Sequence, residues 1–119
     1  MLSGLMVLIV EDDPLIAMLI SDEVVEADGL VAGPFATVAE ALCHLDGCSI
    51  AAAIVDANLA DRDVTPLALR LREAMVPFIV YSGTGLPAGL QDHASDIPLV
   101  MKPGRPVDRL ADLLVTRQR

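Results

Sequence analysis

The sequence predicts an α/β domain, a five-stranded all-parallel sheet with helices on both faces. Two apolar runs, residues 5–10 and 50–58, are short, continuous and bounded by turn residues, the pattern of strands buried on both faces. Segments of helical spacing alternate with these and three weaker apolar runs, and such alternation gives a parallel sheet with right-handed crossovers. Polar residues collect just after the runs, at the carboxyl ends of the strands, where open α/β sheets place their ligands.

The first strand, residues 5–10, runs into Glu11-Asp12-Asp13-Pro14. Asp13 is a good N-cap and Pro14 suits the first helical position, so a helix is expected from there to about Ala27, before Gly29. Ile16, Leu19, Ile20 and Val24 give that helix an apolar face, and Leu15 and Met18 widen it enough that some apolar surface is expected to stay exposed. Residues 30–35 are interrupted by Gly33-Pro34 and suit an edge strand. Thr37-Val38-Ala39-Glu40 has the capping-box pattern, and Ala41, Leu42 and Leu45 carry a short helix to Gly47. The central strand, which lies in the run 50–58, is closed by Asp56.

After it, residues 57–63 read as a polar loop and residues 64–74 as a third helix containing Leu67, Leu69 and Leu71, with Pro66 tolerated in its first turns. Residues 77–81 form the fourth strand, before Ser82-Gly83-Thr84-Gly85. Glycines and a proline follow, so a fourth helix near residues 86–93 is expected to be short and weakly held, and residues 83–96 to be the least protected part of the fold. Residues 98–101 make a brief fifth strand, then comes Lys102-Pro103-Gly104, where a cis Lys102-Pro103 bond is expected. Pro106 opens the last helix, in which Val107, Leu110, Leu113 and Leu114 recur at helical spacing.

At 119 residues the chain is read as one domain spanning 1–119, long enough to bury about 65% of the surface of its unfolded form. Apolar residues make up 54% of it and aromatics 3%, so the core is aliphatic. No apolar run reaches the roughly 18 residues that span a bilayer. Acids follow the first apolar run, where a signal peptide would carry small residues, and the expected location is cytoplasmic. Cys43 and Cys48 are then reduced, partly buried thiols, and with His44 they do not reproduce a zinc spacing. A net charge of −9 repels phosphate backbones, which excludes unaided nucleic-acid binding and leaves proteins or cations as partners, with no membrane. Lys102 is the only lysine among eight basic residues.

Four strand ends carry the polar set: Glu11 and Asp12, Asp56, Ser82, and Lys102. Singly, each has a plain structural explanation: acids at a helix N-terminus, an aspartate or serine starting a turn, a lysine in a loop. Together they converge on one crevice of a doubly wound sheet.

Val-Glu-Asp-Asp, Val-Asp-Ala-Asn-Leu, Tyr-Ser-Gly and Met-Lys-Pro, after strands one, three, four and five, make the whole chain resemble a response-regulator receiver domain. Pro77-Phe78 with Ser82-Gly83 resembles, more loosely, a subgroup of stand-alone receivers. The resemblance implies the flavodoxin-like strand order 2-1-3-4-5. It also implies that Asp56 accepts a phosphoryl group from a histidine kinase or a histidine phosphotransfer protein. Mg²⁺ would be held by Asp12, Asp56, the backbone carbonyl of Asn58 and waters, with Glu11 acting through water, while Ser82 and Lys102 bind phosphoryl oxygens. The chain would be no enzyme beyond its own phosphorylation and dephosphorylation. It departs from the family at Leu99, where many receivers have an aromatic switch residue, and at Ala60, near the usual proline of a loop expected to be mobile here. Without an effector segment after Thr116, output is expected through protein contacts, a homodimer among them, with Leu15 and Met18 as the docking surface. Two other classes compete: a receiver-like interaction module that is not phosphorylated, and a flavin-binding electron carrier. The acids after strand one argue against the carrier, which needs a Ser, Thr and Gly-rich phosphate loop there.

Overall fold

In the computed structural model, which describes residues 2–47, 49–93 and 96–117, the central position belongs to β3, Ala52–Asp56, all five residues of which are buried. The other strands are β1 (Met6–Val10), β2 (Leu30–Phe35), β4 (Phe78–Ser82) and β5 (Leu99–Met101). They pair in parallel in the order β2-β1-β3-β4-β5. The helices are α1 (Pro14–Glu26), α2 (Val38–Gly47), α3 (Thr65–Glu73) and α4 (Pro106–Arg117). The flavodoxin-like order and the five-stranded, all-parallel sheet are those expected. Between β4 and β5 the expected helix is a single short 3₁₀ helix, Ala88–His93.

Successive residues of a strand point to opposite faces, and the core divides accordingly. Leu8, Val10, Ala53, Val55, Phe78 and Val80 face one side, where they pack with Leu67 and Leu71 of α3 and with Leu90. Val7, Ile9, Ala52, Ile54, Ile79 and Tyr81 face the other, against Ile20 and Val24 of α1 and Leu110 of α4. Leu90 is fully buried. The 3₁₀ segment, expected to be weakly held, is therefore pinned to the core at one point.

Asp13 caps α1 as its sequence implies, its Oδ1 accepting from Leu15 N at 2.9 Å and Ile16 N at 3.4 Å. The buried stripe of α1 is Ala17, Ile20 and Val24. Leu19, expected on that face, is 51% exposed, because each helical step turns the side chain roughly 100° and carries it away from Ile20. With Leu15 at 60% and Met18 at 52% it forms an exposed apolar strip. Cys43 also departs from expectation: α2 packs through Val38 and Ala41, which leaves the thiol exposed. Cys48 lies outside the described residues.

At α2 the box forms between side chains: Thr37 Oγ1 accepts from Glu40 N at 3.1 Å and donates to Glu40 Oε1 at 2.9 Å. The two preceding donors, Val38 N and Ala39 N, reach across to Asp61 Oδ1 and Oδ2 at 2.9 and 3.2 Å. Ala60 N donates to Ala36 O at 3.3 Å, and Leu59 is buried. The loop that lacks the family's proline is thus tied down by the helix it caps. The Lys102-Pro103 bond is cis, as expected, and so is Gly33-Pro34.

Candidate functional site

Because β1 and β3 are adjacent and parallel, Glu11 and Asp12, just past β1, arrive beside Asp56 at the end of β3. One oxygen from each of these three carboxylates lies within 4.8 Å of the others. Asp56 is buried, and its two oxygens have different partners. Oδ1 accepts from Asn58 N at 3.3 Å, the turn bond expected of a strand-end aspartate. Oδ2 faces Lys102 Nζ at 3.4 Å. The same ammonium stands 3.0 Å from Glu11 Oε1, as a charge contact rather than an aligned hydrogen bond.

Glu11 is only 3% exposed. Burial first, then the neighbouring Asp56, push its carboxyl up to about 7, against the Asp13 N–H and Lys102, which favour the charged form. Burial opposes the charge on Lys102, but its pairing with Glu11 and Asp56 overrides that and holds its pKa above the usual lysine value. One ammonium therefore does not satisfy the acids gathered around it. The donor set is entirely hard oxygen, and a small divalent cation such as Mg²⁺ fits both the donors and the surplus negative charge.

Ser82 is buried at the end of β4, and its hydroxyl is turned into its own loop. It accepts from Thr84 N at 3.0 Å and donates to Gly85 O at 2.8 Å. Its carbonyl accepts from Lys102 N at 2.8 Å, so the backbone of β4 seats the lysine. Asn58 is exposed next to Asp56 and bridges to Asp63 across the following loop.

The structure thus gathers Glu11, Asp12, Asp56 and Lys102 into one group, with Ser82, the last residue of β4, and Asn58, on the loop after β3, at its edge. Two contributors were not visible in the sequence. Tyr81 Oη donates to Gly104 O at 3.0 Å, and Lys102 Nζ lies 5.4 Å from the centre of its ring. Asp61 caps α2, as described above. Both partners are more than twenty positions away in sequence, and the only local signal was a tyrosine adjoining Ser82.

An acid cluster and a lysine at the carboxyl ends of a 2-1-3-4-5 parallel sheet define a receiver domain, and the chain belongs to the response-regulator receiver family. The solution structure of SdrG from Sphingomonas melonis Fr1 is 32% identical, with 97% of this chain covered and 99% of that one, at a TM-score of 0.78. SdrG from Pseudomonas melonis Fr1, solved in its BeF3-activated conformation, is 37% identical over 94% and 98% of the two chains, with a TM-score of 0.74. The receiver domain of the TMAO respiratory system response regulator TorR is 25% identical over 95% and 98%, with a TM-score of 0.78. No family model and no curated protein matches the chain. Among the described residues no helix is long and apolar enough to cross a membrane.

Proposed function

We propose that this receiver is a phosphoacceptor in a two-component relay. Asp56 takes a phosphoryl group from the phosphohistidine of a histidine kinase or phosphotransfer protein, and the domain then signals or buffers phosphate through protein contacts. The observation that carries this reading is the meeting of Asp56 with Lys102, Glu11 and Asp12 at the ends of β1, β3 and β5.

A carboxylate oxygen of Asp56 attacks phosphorus; the new P–O bond forms as the P–N bond breaks, and its electron pair leaves with the imidazole. The chain's own work is placement. Asn58 N orients one oxygen of Asp56, and Lys102 stands at the other, ready to pair with a phosphoryl oxygen. The carboxylates of Asp12 and Asp56, with the backbone carbonyl of Asn58, would hold Mg²⁺, with Glu11 acting through water, and the bound ion would supply positive charge to offset that of these carboxylates and the phosphoryl oxygens.

Ser82 must release Gly85 O before its hydroxyl can donate to a phosphoryl oxygen. That release passes the event to Gly85, Leu86 and the 3₁₀ helix, a route that bypasses Leu99. The exposed strip Leu15, Met18 and Leu19 on α1 is the docking face for the kinase or for a second receiver. The BeF3-activated form solved for SdrG is in keeping with this reading.

Incubation with acetyl phosphate and Mg²⁺, read by intact mass, should add one phosphoryl group to the wild type and none to Asp56→Asn. Equal labelling of the variant would place the acceptor elsewhere. An unlabelled wild type would instead favour an interaction module that works through the α1 strip without phosphorylation.

A further inference from the structure

Lys102 is a long side chain on a thin support. β5 has three residues and ends at half-exposed Met101. The turn that follows is anchored through its backbone by Lys102 N to Ser82 O and Gly104 N to Met101 O, each at 2.8 Å. Neither bond restrains the ammonium, whose flexible stem has many rotamers open to it.

Tyr81 holds both ends of this unit. Its ring is buried in the core face formed with Ile79, Val107 and Leu110. From that fixed base its hydroxyl donates to Gly104 O at 3.0 Å and so closes the turn from outside. The ring sits 5.4 Å from Lys102 Nζ, within the range of a cation–π attraction. Gly104 lets the turn fold tightly back on β5, since a Cβ there would meet Val100 Cγ1 at 2.7 Å and Met101 O at 2.8 Å. Burial raises the phenol above its usual pKa although Lys102 opposes this, so the hydroxyl stays a donor at neutral pH.

We propose that Tyr81 is a positioning residue for Lys102: hydroxyl and ring together clamp the Lys102-Pro103-Gly104 turn and hold the ammonium between Glu11 and Asp56. Its kinetic consequence rests on the phosphoacceptor reading, but the clamp itself does not. Lys102 is the only lysine, Tyr81 is the only tyrosine, and there is no tryptophan. Selective lysine labelling therefore reports one side chain, and intrinsic fluorescence reports one ring.

The test compares wild type, Tyr81→Phe and Tyr81→Leu, each first shown to be folded by circular dichroism. In ¹³C-lysine spectra the ring current of Tyr81 should shift the Lys102 ε-methylene protons. Tyr81→Leu should abolish that shift and Tyr81→Phe should retain it. Lys102 signals unchanged in Tyr81→Leu would overturn the clamp, whether or not Asp56 is phosphorylated. Labelling by acetyl phosphate should slow about two- to three-fold in Tyr81→Phe and about five- to ten-fold in Tyr81→Leu. Added to Lys102→Met, Tyr81→Leu should slow labelling no further. Equal slowing in both backgrounds would make Tyr81 a general packing residue and overturn the proposal. An unlabelled wild type would remove the phosphoacceptor reading and leave the spectra to decide the clamp.

Discussion

The two shoulders of the acidic crevice are built differently. The β1–β3 shoulder, which carries Glu11, Asp12 and Asp56, stands on two strands whose residues are almost all buried, and its loops are closed by the Asp13 and Asp61 caps. The β4–β5 shoulder, which carries Ser82 and Lys102, has β4 fully buried but β5 short and part-exposed. It is held by single side-chain links: Ser82 to Gly85, Tyr81 to Gly104, and Leu90 into the core. The acids are thus set on the deep part of the sheet, and Ser82 and Lys102 on the thin part. Many small contacts make a rigid floor, whereas a few discrete links can be exchanged one at a time.

Deleting core volume on both sides tests this contrast most strongly. Ile54→Ala on the deep shoulder should cost about 2–5 kcal/mol in urea unfolding. Leu90→Ala should cost a similar amount, since its side chain is as fully buried, but it should also speed amide exchange across the 3₁₀ helix well before global unfolding. Uniform exchange in Leu90→Ala would show that the thin shoulder has no independence.

A smaller effect, with a defined sign, is expected at Glu11. Its carboxyl rises from 4.5 to about 7 on folding, so the native state keeps a proton that the unfolded chain has released. That contribution to stability is complete below pH 4.5 and is lost as pH rises through about 7. Glu11→Gln should flatten the slope and be the more stable protein above pH 7. Mg²⁺ should stabilise the wild type in the same range by binding the ionised acids. Parallel pH profiles of urea midpoints for wild type and variant would remove Glu11 as their source.

The smallest change concerns the caps. Asp61 is held below its usual pKa, first by the Val38 N–H, against a small burial effect, and then by Ala39 N–H. Its contribution is present above the unfolded carboxylate pKa and is lost as pH falls through the lower folded value. Asp61→Ala should lower Tm slightly at neutral pH and not at strongly acidic pH. An equal loss at both would mean that the side chain acts by packing rather than by its charge.

The sequence by itself determined the strands and the convergence of Glu11, Asp12, Asp56, Ser82 and Lys102 on one edge, while the order 2-1-3-4-5 came with the resemblance of its motifs to receiver domains. Apolar runs, caps and strand-end polar residues are local signals, and a parallel α/β fold turns local position into spatial position. It began β3 at residue 50, two residues before Ala52, and placed Leu19 on the buried face of α1, because periodicity does not say how wide a stripe the neighbours cover. Only the tertiary structure decided that Asp61 caps α2, that Leu90 secures the 3₁₀ helix, and that Tyr81 reaches Gly104 beneath Lys102. Each of these joins residues far apart along the chain by geometry that depends on how sheet and helices pack. No pattern of neighbouring residues records such a contact.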